Sequence, residues 1–171
     1  DARVPGALLG RHELDELARH VRDIDVYHTS EDKSAYNNGL FWHTQHYMDA
    51  GLSTHRTYPS GSGGGGPSAE HNYPTGLMLH YFMTGEPASR DAAIGLGRWV
   101  IDMDDGRRSP FRWLASGPTG LVSATGSLTY HGPGRAPGNS IVACLVAHRL
   151  TGESQFMAKV EELIRRCIHP A

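Results

Sequence analysis

The chain has 171 residues, which is long enough for one domain with a sizeable hydrophobic core. Its 16 Lys and Arg residues are dispersed and outnumbered by 18 Asp and Glu, so we expect no nucleic-acid partner at a formal net charge of -2. No apolar run reaches the roughly 20 residues that a membrane span needs, and we expect no membrane partner.

The numbers of cysteine and histidine residues indicate which kinds of site the chain could form. Cys144 and Cys167 are too few for a disulfide framework or a zinc knuckle, and we expect both to be buried free thiols. Histidine is frequent, with 11 residues, most of them between Tyr27 and Tyr81. The chain opens on Asp1 without an initiating Met, which suggests a piece of a longer protein and leaves the compartment open.

Apolar residues at helical spacing predict an all-α domain over residues 1–171. Six helices are expected, at about 10–25, 35–50, 72–84, 87–104, 138–151 and 154–168. The first carries Leu14, Leu17, Val21 and Ile24 on one face. Long loops rich in Gly, Pro and Ser are expected at about 52–70 and 106–137, and loops of this length are usually functional or disordered.

An internal repeat organises the second half of the chain. Gly76–Glu86 and Ala143–Glu153 both end in Thr-Gly-Glu, 67 residues apart, and the apolar positions that follow stay in register. Each unit indicates a helix, a Gly stop and a second helix, because Gly readily adopts the left-handed conformation that ends a helix. Pro87 stands where the second helix would begin, a position that tolerates its missing N–H.

Three asparagines share one spacing relative to the glycines. Asn38, Asn72 and Asn139 each precede a Gly by thirteen residues. Because an Asn side chain accepts hydrogen bonds from the first N–H groups of a helix, we predict that these residues cap three helices. A cap faces the loops that carry function, so a functional role is compatible with capping.

Repeated helical hairpins with Thr-Gly-Glu turns resemble the (α/α) toroids of carbohydrate-active enzymes, namely six-hairpin glycosidases and toroidal polysaccharide lyases. The resemblance runs from Asn38 to Ile168. It implies a poly- or oligosaccharide partner and an incomplete barrel, completed by the rest of a longer chain. Tetratricopeptide-like solenoids also repeat helix pairs, but their period is about half as long.

The segment Glu70-His71-Asn72-Tyr73 is the strongest catalytic candidate. It places an acid, an imidazole, an amide and a phenol together at a predicted helix start, where the helix dipole favours anions such as a sugar carboxylate. The alternative is a capping segment in which Glu70 and Asn72 satisfy backbone N–H groups.

The lyase resemblance implies a role for each residue of this candidate site. Asn72 and Arg56 would neutralise the uronate carboxylate, His71 would take the C5 proton, and Tyr73 or Tyr58 would protonate the leaving oxygen.

Other polar and aromatic residues are expected to bind substrate. They are Trp42, His43, His46, Tyr58, His131, Arg135 and Asn139. The loop that ends at Asn139 precedes its helix as Glu70–Tyr73 precedes its own, which places both segments on one rim. His43 and His46 share a helical face and leave a divalent metal as a weak alternative, but no cofactor is predicted, because the H-E-x-x-H pattern is absent.

The balance of side chains favours β-elimination on an acidic polysaccharide. A glycosidase normally needs two carboxylates flanking the bond, and the loops offer Glu70 with only weak partners. His, Tyr, Arg and Asn are plentiful instead. The alternatives are a glycoside hydrolase of the six-hairpin type and a non-catalytic module that binds glycan or protein.

Overall fold

A computed structural model describes residues 27–30, 33–36, 69–106, 113, 118 and 134–168. Every regular element that it describes between residues 69 and 168 is helical, which confirms the all-α prediction for this part of the chain. The expected helix at about 10–25 lies outside the described residues.

A β-hairpin near the N-terminus was not predicted. Strands β1 (Tyr27–Ser30) and β2 (Lys33–Tyr36) pair antiparallel, with Tyr27 opposite Tyr36. The end of β2 overlaps the start of the helix expected at about 35–50, so that start is wrong. Aromatic and β-branched residues favour strands, but a run of four residues gives too short a pattern to outweigh the helical one.

Four helices form the described core of the fold. They are α1 (Thr75–Thr84), α2 (Pro87–Asp104), α3 (Arg135–Thr151) and α4 (Ser154–Leu163). A 3-10 turn at Ala69–His71 precedes α1, and a π-helical turn at Ile164–Ile168 continues α4. The α2 bounds are those predicted, whereas α1 starts three residues later and α3 three residues earlier than expected.

The two Thr-Gly-Glu sequences form the same turn. Gly85 and Gly152 adopt φ of 73° and 74°, and each N–H donates to the carbonyl four residues earlier at 2.7 Å. In each turn the Thr hydroxyl donates to a carbonyl of the preceding helical turn and accepts from the Glu N–H at 3.1 Å. The predicted repeat of helix, Gly stop and helix is therefore confirmed.

The predicted Asn caps are wrong for both asparagines in the described part of the chain. Pro74 and Gly134 precede the first residues of α1 and α3, and neither start has a side-chain cap. Asn72 lies before α1 and Asn139 lies within α3. Both use their amide nitrogens to tie separate segments together, through Leu96 and Glu70 respectively.

Consecutive helices run antiparallel. The Arg90 guanidinium at the start of α2 donates to the carbonyl of Leu150 near the end of α3, and Gly97 at mid-helix approaches Ala143 and Ala147. Both Thr-Gly-Glu turns therefore lie at one end of the bundle, which we call the turn end. The opposite end, which we call the loop end, holds the 3-10 turn, the end of α2 and the start of α3.

The core between the helices is apolar and tightly packed. Its largest fully buried apolar side chains are Trp99, Phe156, Leu77, Leu163 and Val100. Among the described residues, no helix has both the length and the apolar character needed to cross a bilayer. Two consecutive hairpins do not establish a closed ring.

Candidate functional site

The two segments that sequence analysis placed on one rim meet at the loop end. The Asn139 amide nitrogen donates to the backbone carbonyl of Glu70 at 2.8 Å, and the Tyr73 hydroxyl donates to the same carbonyl at 3.0 Å. The Arg135 guanidinium forms an ion pair with the Glu70 carboxylate at 2.9 Å. The 3-10 turn is thus fixed on the first turns of α3.

The early start of α3 explains why Arg135 and Asn139 both contact Glu70. Because the helix begins at Arg135, Arg135 and Asn139 are separated by one helical turn and lie on the same face. Both can then reach Glu70, one through its carboxylate and the other through its carbonyl.

His71 and Tyr73 present a pair of rings beside this contact. Their centroids are 6.5 Å apart and their planes differ by 20°. His71 is half-buried, whereas Tyr73 is 59% exposed. The surface therefore brings together an imidazole, a phenol and a guanidinium, of which the phenol and the guanidinium are mostly exposed.

Asn72 occupies a different position from the rest of its segment. It is only 1% exposed, and its amide nitrogen donates to the carbonyl of Leu96 on α2 at 3.2 Å. Burial and this hydrogen bond favour a structural role, so its position does not support the carboxylate-neutralising role expected from the sequence.

Six of the expected site residues lie outside the described residues. They are Trp42, His43, His46, Arg56, Tyr58 and His131. Their roles, and the weak alternative of a metal near His43 and His46, stay predictions.

Sequence reasoning missed a buried ionic cluster. Asp104, the last residue of α2, is fully buried and accepts two hydrogen bonds from the Arg166 guanidinium at 2.8 and 2.9 Å. The Lys159 ammonium donates to Asp104 at 3.0 Å, to Glu162 at 2.6 Å and to Asp105. A signal was present, because Lys159 and Arg166 fall within the apolar stripe of the last helix, where an unpaired charge would be costly.

The cluster is built to hold protein cations. Carboxylate oxygens of Asp104, Asp105 and Glu162 lie within 4.8 Å of one another, a spacing that could suit a metal ion. The Lys159 ammonium, however, donates to all three and takes that position. Burial lowers the pKa of Lys159, but the hydrogen bonds to the carboxylates outweigh burial and raise its pKa overall. A lysine held in the charged form is a poor nucleophile or base, which favours a structural role.

No family model, no curated protein and no solved structure matches the chain. A function is therefore inferred from the geometry of the described residues.

Proposed function

We propose that the protein acts on an acidic polysaccharide by β-elimination at the loop end. The observation that carries this proposal is the junction of the two segments, where the Arg135–Glu70 ion pair of 2.9 Å lies beside the His71 and Tyr73 rings. Together these residues supply a cation, a base and an acid on one surface.

Arg135 takes the role of carboxylate neutraliser in place of Asn72. Its side chain is 56% exposed and its fork of N–H donors matches the two oxygens of a uronate. Glu70 holds the guanidinium in place while leaving part of it open. Arg56 remains a second candidate for the same role.

His71 and Tyr73 supply the proton transfers. The His71 imidazole removes the C5 proton, the electron pair of the C5–H bond forms the C4–C5 double bond, and the C4–O bond breaks. The Tyr73 hydroxyl gives its proton to the leaving oxygen. Its hydrogen bond to the Glu70 carbonyl holds the phenol at the site before substrate binds.

The helices support the resemblance to an (α/α) toroid at the level of the repeat. Two hairpins with the same turn geometry follow each other, with both turns at one end and the polar surface at the other. In the proposed toroid, further hairpins continue this arrangement into a ring, and the loops at one rim surround the glycan.

Incubation of the chain with acidic polysaccharides at neutral pH tests the proposal through the absorbance of the unsaturated uronate product. His71→Ala should lower the elimination rate by about 100-fold or more, because positioned acid–base groups contribute about 10²–10⁴-fold. Arg135→Lys should weaken it as well, since Lys cannot reproduce the bidentate contact. Arg149→Lys, an exposed cation on another surface, is the matched control and should leave the rate unchanged.

Three outcomes would contradict elimination. New reducing ends without new absorbance would indicate hydrolysis, with Glu70 as one of the two carboxylates. Saturable binding of a glycan without any product would indicate a binding module. A folded protein that neither binds nor cleaves any acidic polysaccharide would rule out the carbohydrate proposal.

A further inference from the structure

The Glu70 carboxylate lies against the Arg135 guanidinium in the way that a ligand carboxylate would. The ion pair joins Oε2 of Glu70 to Nη2 of Arg135 at 2.9 Å. A guanidinium binds a carboxylate bidentately through Nη1 with Nη2 or through Nε with Nη2, so Nη2 takes part in both arrangements. A carboxylate on this atom therefore competes with a ligand carboxylate at either pair of donors.

This ion pair lies at the surface of the protein. The side chain of Arg135 is 56% exposed and that of Glu70 is 44% exposed, so water can solvate both groups when they separate. Exposed ion pairs contribute little to stability, because the attraction is largely offset by screening and by the loss of side-chain freedom. A second carboxylate can thus replace Glu70 on Arg135 without a large loss of stability.

The backbone of Glu70 is held independently of its carboxylate. Its carbonyl accepts from the Asn139 amide nitrogen at 2.8 Å and from the Tyr73 hydroxyl at 3.0 Å. Ala69, its neighbour in the 3-10 turn, is buried in the hydrophobic core. The carboxylate can therefore leave Arg135 while the turn, and the Tyr73 phenol that is hydrogen-bonded to it, stay in place.

We propose that Glu70 is an internal competitor, whose carboxylate occupies Arg135 in the free protein and is displaced by the carboxylate of an acidic ligand. This inference rests on the proposed function, in which Arg135 binds the uronate. If both carboxylates stayed on Arg135, two like charges would share one cation, which is unfavourable. A neutral glycan carries no group that can take the place of Glu70, so the exchange selects ligands with a carboxylate.

Isothermal titration calorimetry of the whole chain with trigalacturonate, and with a hyaluronan tetrasaccharide, tests the proposal at neutral pH and low salt. Glu70→Gln keeps the size of the side chain and removes its charge, so we expect it to bind one of these probes about two- to fivefold more tightly, the effect of one exposed ion pair. Glu86→Gln is the matched control. It removes the same charge at the turn end, keeps an oxygen for the Ala88 N–H, and should bind like the wild-type protein.

A double-mutant comparison separates competition at Arg135 from general charge repulsion. In an Arg135→Gln background no guanidinium remains for Glu70 to occupy, so Glu70→Gln should then give no gain in affinity. An equal gain in both backgrounds would overturn the proposal, and so would binding by Glu70→Gln that is no tighter than wild-type binding. Circular dichroism checks folding, and Glu70→Ala, which removes the same carboxylate, is used if Glu70→Gln has lost helical content.

The results also distinguish this inference from the proposed activity. Tighter binding by Glu70→Gln without an unsaturated product would support the competition and overturn elimination. Elimination by the wild-type protein, together with weaker binding by Glu70→Gln, would support the activity and overturn the competition. Failure of both folded proteins to bind either probe would overturn the competition, whereas elimination is measured separately on the polysaccharides.

Discussion

Asp104 is a fully buried carboxylate that holds two cations on the following hairpin, Lys159 and Arg166. Removing three charges from water is costly, and only close hydrogen bonds can offset that loss. Asp105 and Glu162 complete the pairing of Lys159 at the edge of the cluster. Glu162 also accepts from Arg166 at 2.6 Å, so Asp104 is the buried centre of a cluster of three carboxylates and two cations.

We predict that Asp104→Asn lowers the free energy of unfolding by about 3 kcal/mol, because Lys159 and Arg166 lose their fully buried carboxylate and keep only the partly exposed Asp105 and Glu162. Asp91→Asn removes the same charge from an exposed pair with Arg90 and should change it by no more than about 0.5 kcal/mol. Urea denaturation monitored by circular dichroism measures both. Equal transition midpoints for the two variants would show that the cluster contributes little.

The candidate site and the ionic cluster differ in how far they could be predicted from the sequence. The meeting of Glu70 with Arg135 and Asn139 follows from an equivalence within the repeat, and the sequence predicted it as a shared rim. Asp104 depends on which helix packs beside it, a long-range relation that composition and spacing do not contain. The Asp and Gly that follow it are typical of a helix end, so the local sequence gives no sign that Asp104 is buried.

Among the secondary-structure elements, the described helices were predictable because their signals are local. Gly85 and Gly152 end their helices, and Pro87 opens the next. The starts of α1 and α3 were misplaced because of two prolines. Pro74 disfavours helical backbone at Tyr73, so α1 cannot begin at Asn72. Pro137 lies in the first turn of α3, where its missing N–H is tolerated, and so does not delay the helix.

The contact between α2 and α3 depends on Gly97. A Cβ atom at this position would lie 2.5 Å from the Ala147 Cβ and 3.0 Å from the Ala143 carbonyl oxygen. The absence of a side chain therefore lets the two helices approach closely, which brings Phe156 and Ala147 into the same part of the core.

We predict that Gly97→Ala destabilises the protein by about 1–3 kcal/mol, because overpacking outweighs the gain in helix propensity. Gly138→Ala is the matched control, since a Cβ atom at this position of α3 meets nothing within 4 Å. The control should be neutral or stabilising by up to about 1 kcal/mol. Thermal unfolding of both variants measures the difference. A more stable Gly97→Ala protein would refute the close approach.

At the scale of the molecule, two buried groups in the described part of the chain make stability fall at alkaline pH. Burial raises the pKa of the Cys144 thiol from 9.0 to about 12, and the carboxylates around Lys159 raise the pKa of that ammonium. In both cases the pKa is higher in the folded chain than in the unfolded chain. The stability that they contribute is therefore complete below about pH 9 and is lost as the pH rises through the folded pKa.

We predict that the free energy of unfolding falls steadily between pH 9 and pH 12, the range set by the Cys144 thiol. Cys144→Ala should have a shallower slope over this range, although removal of a buried sulfur lowers its stability at neutral pH. Urea titrations at a series of pH values measure both quantities. Identical slopes for the wild-type and Cys144→Ala proteins would contradict this assignment.

The two Thr-Gly-Glu turns carry a practical consequence for handling the molecule. Each joins its helices through only two residues, and Glu86 and Gln155 lie exposed at that end. The candidate glycan surface and the start of α3 lie at the other end. A surface linker attached at Glu86 or Gln155 would immobilise the protein with its loop end facing the solution. The hairpin turns thus offer natural anchor points for binding measurements that leave the candidate site uncovered.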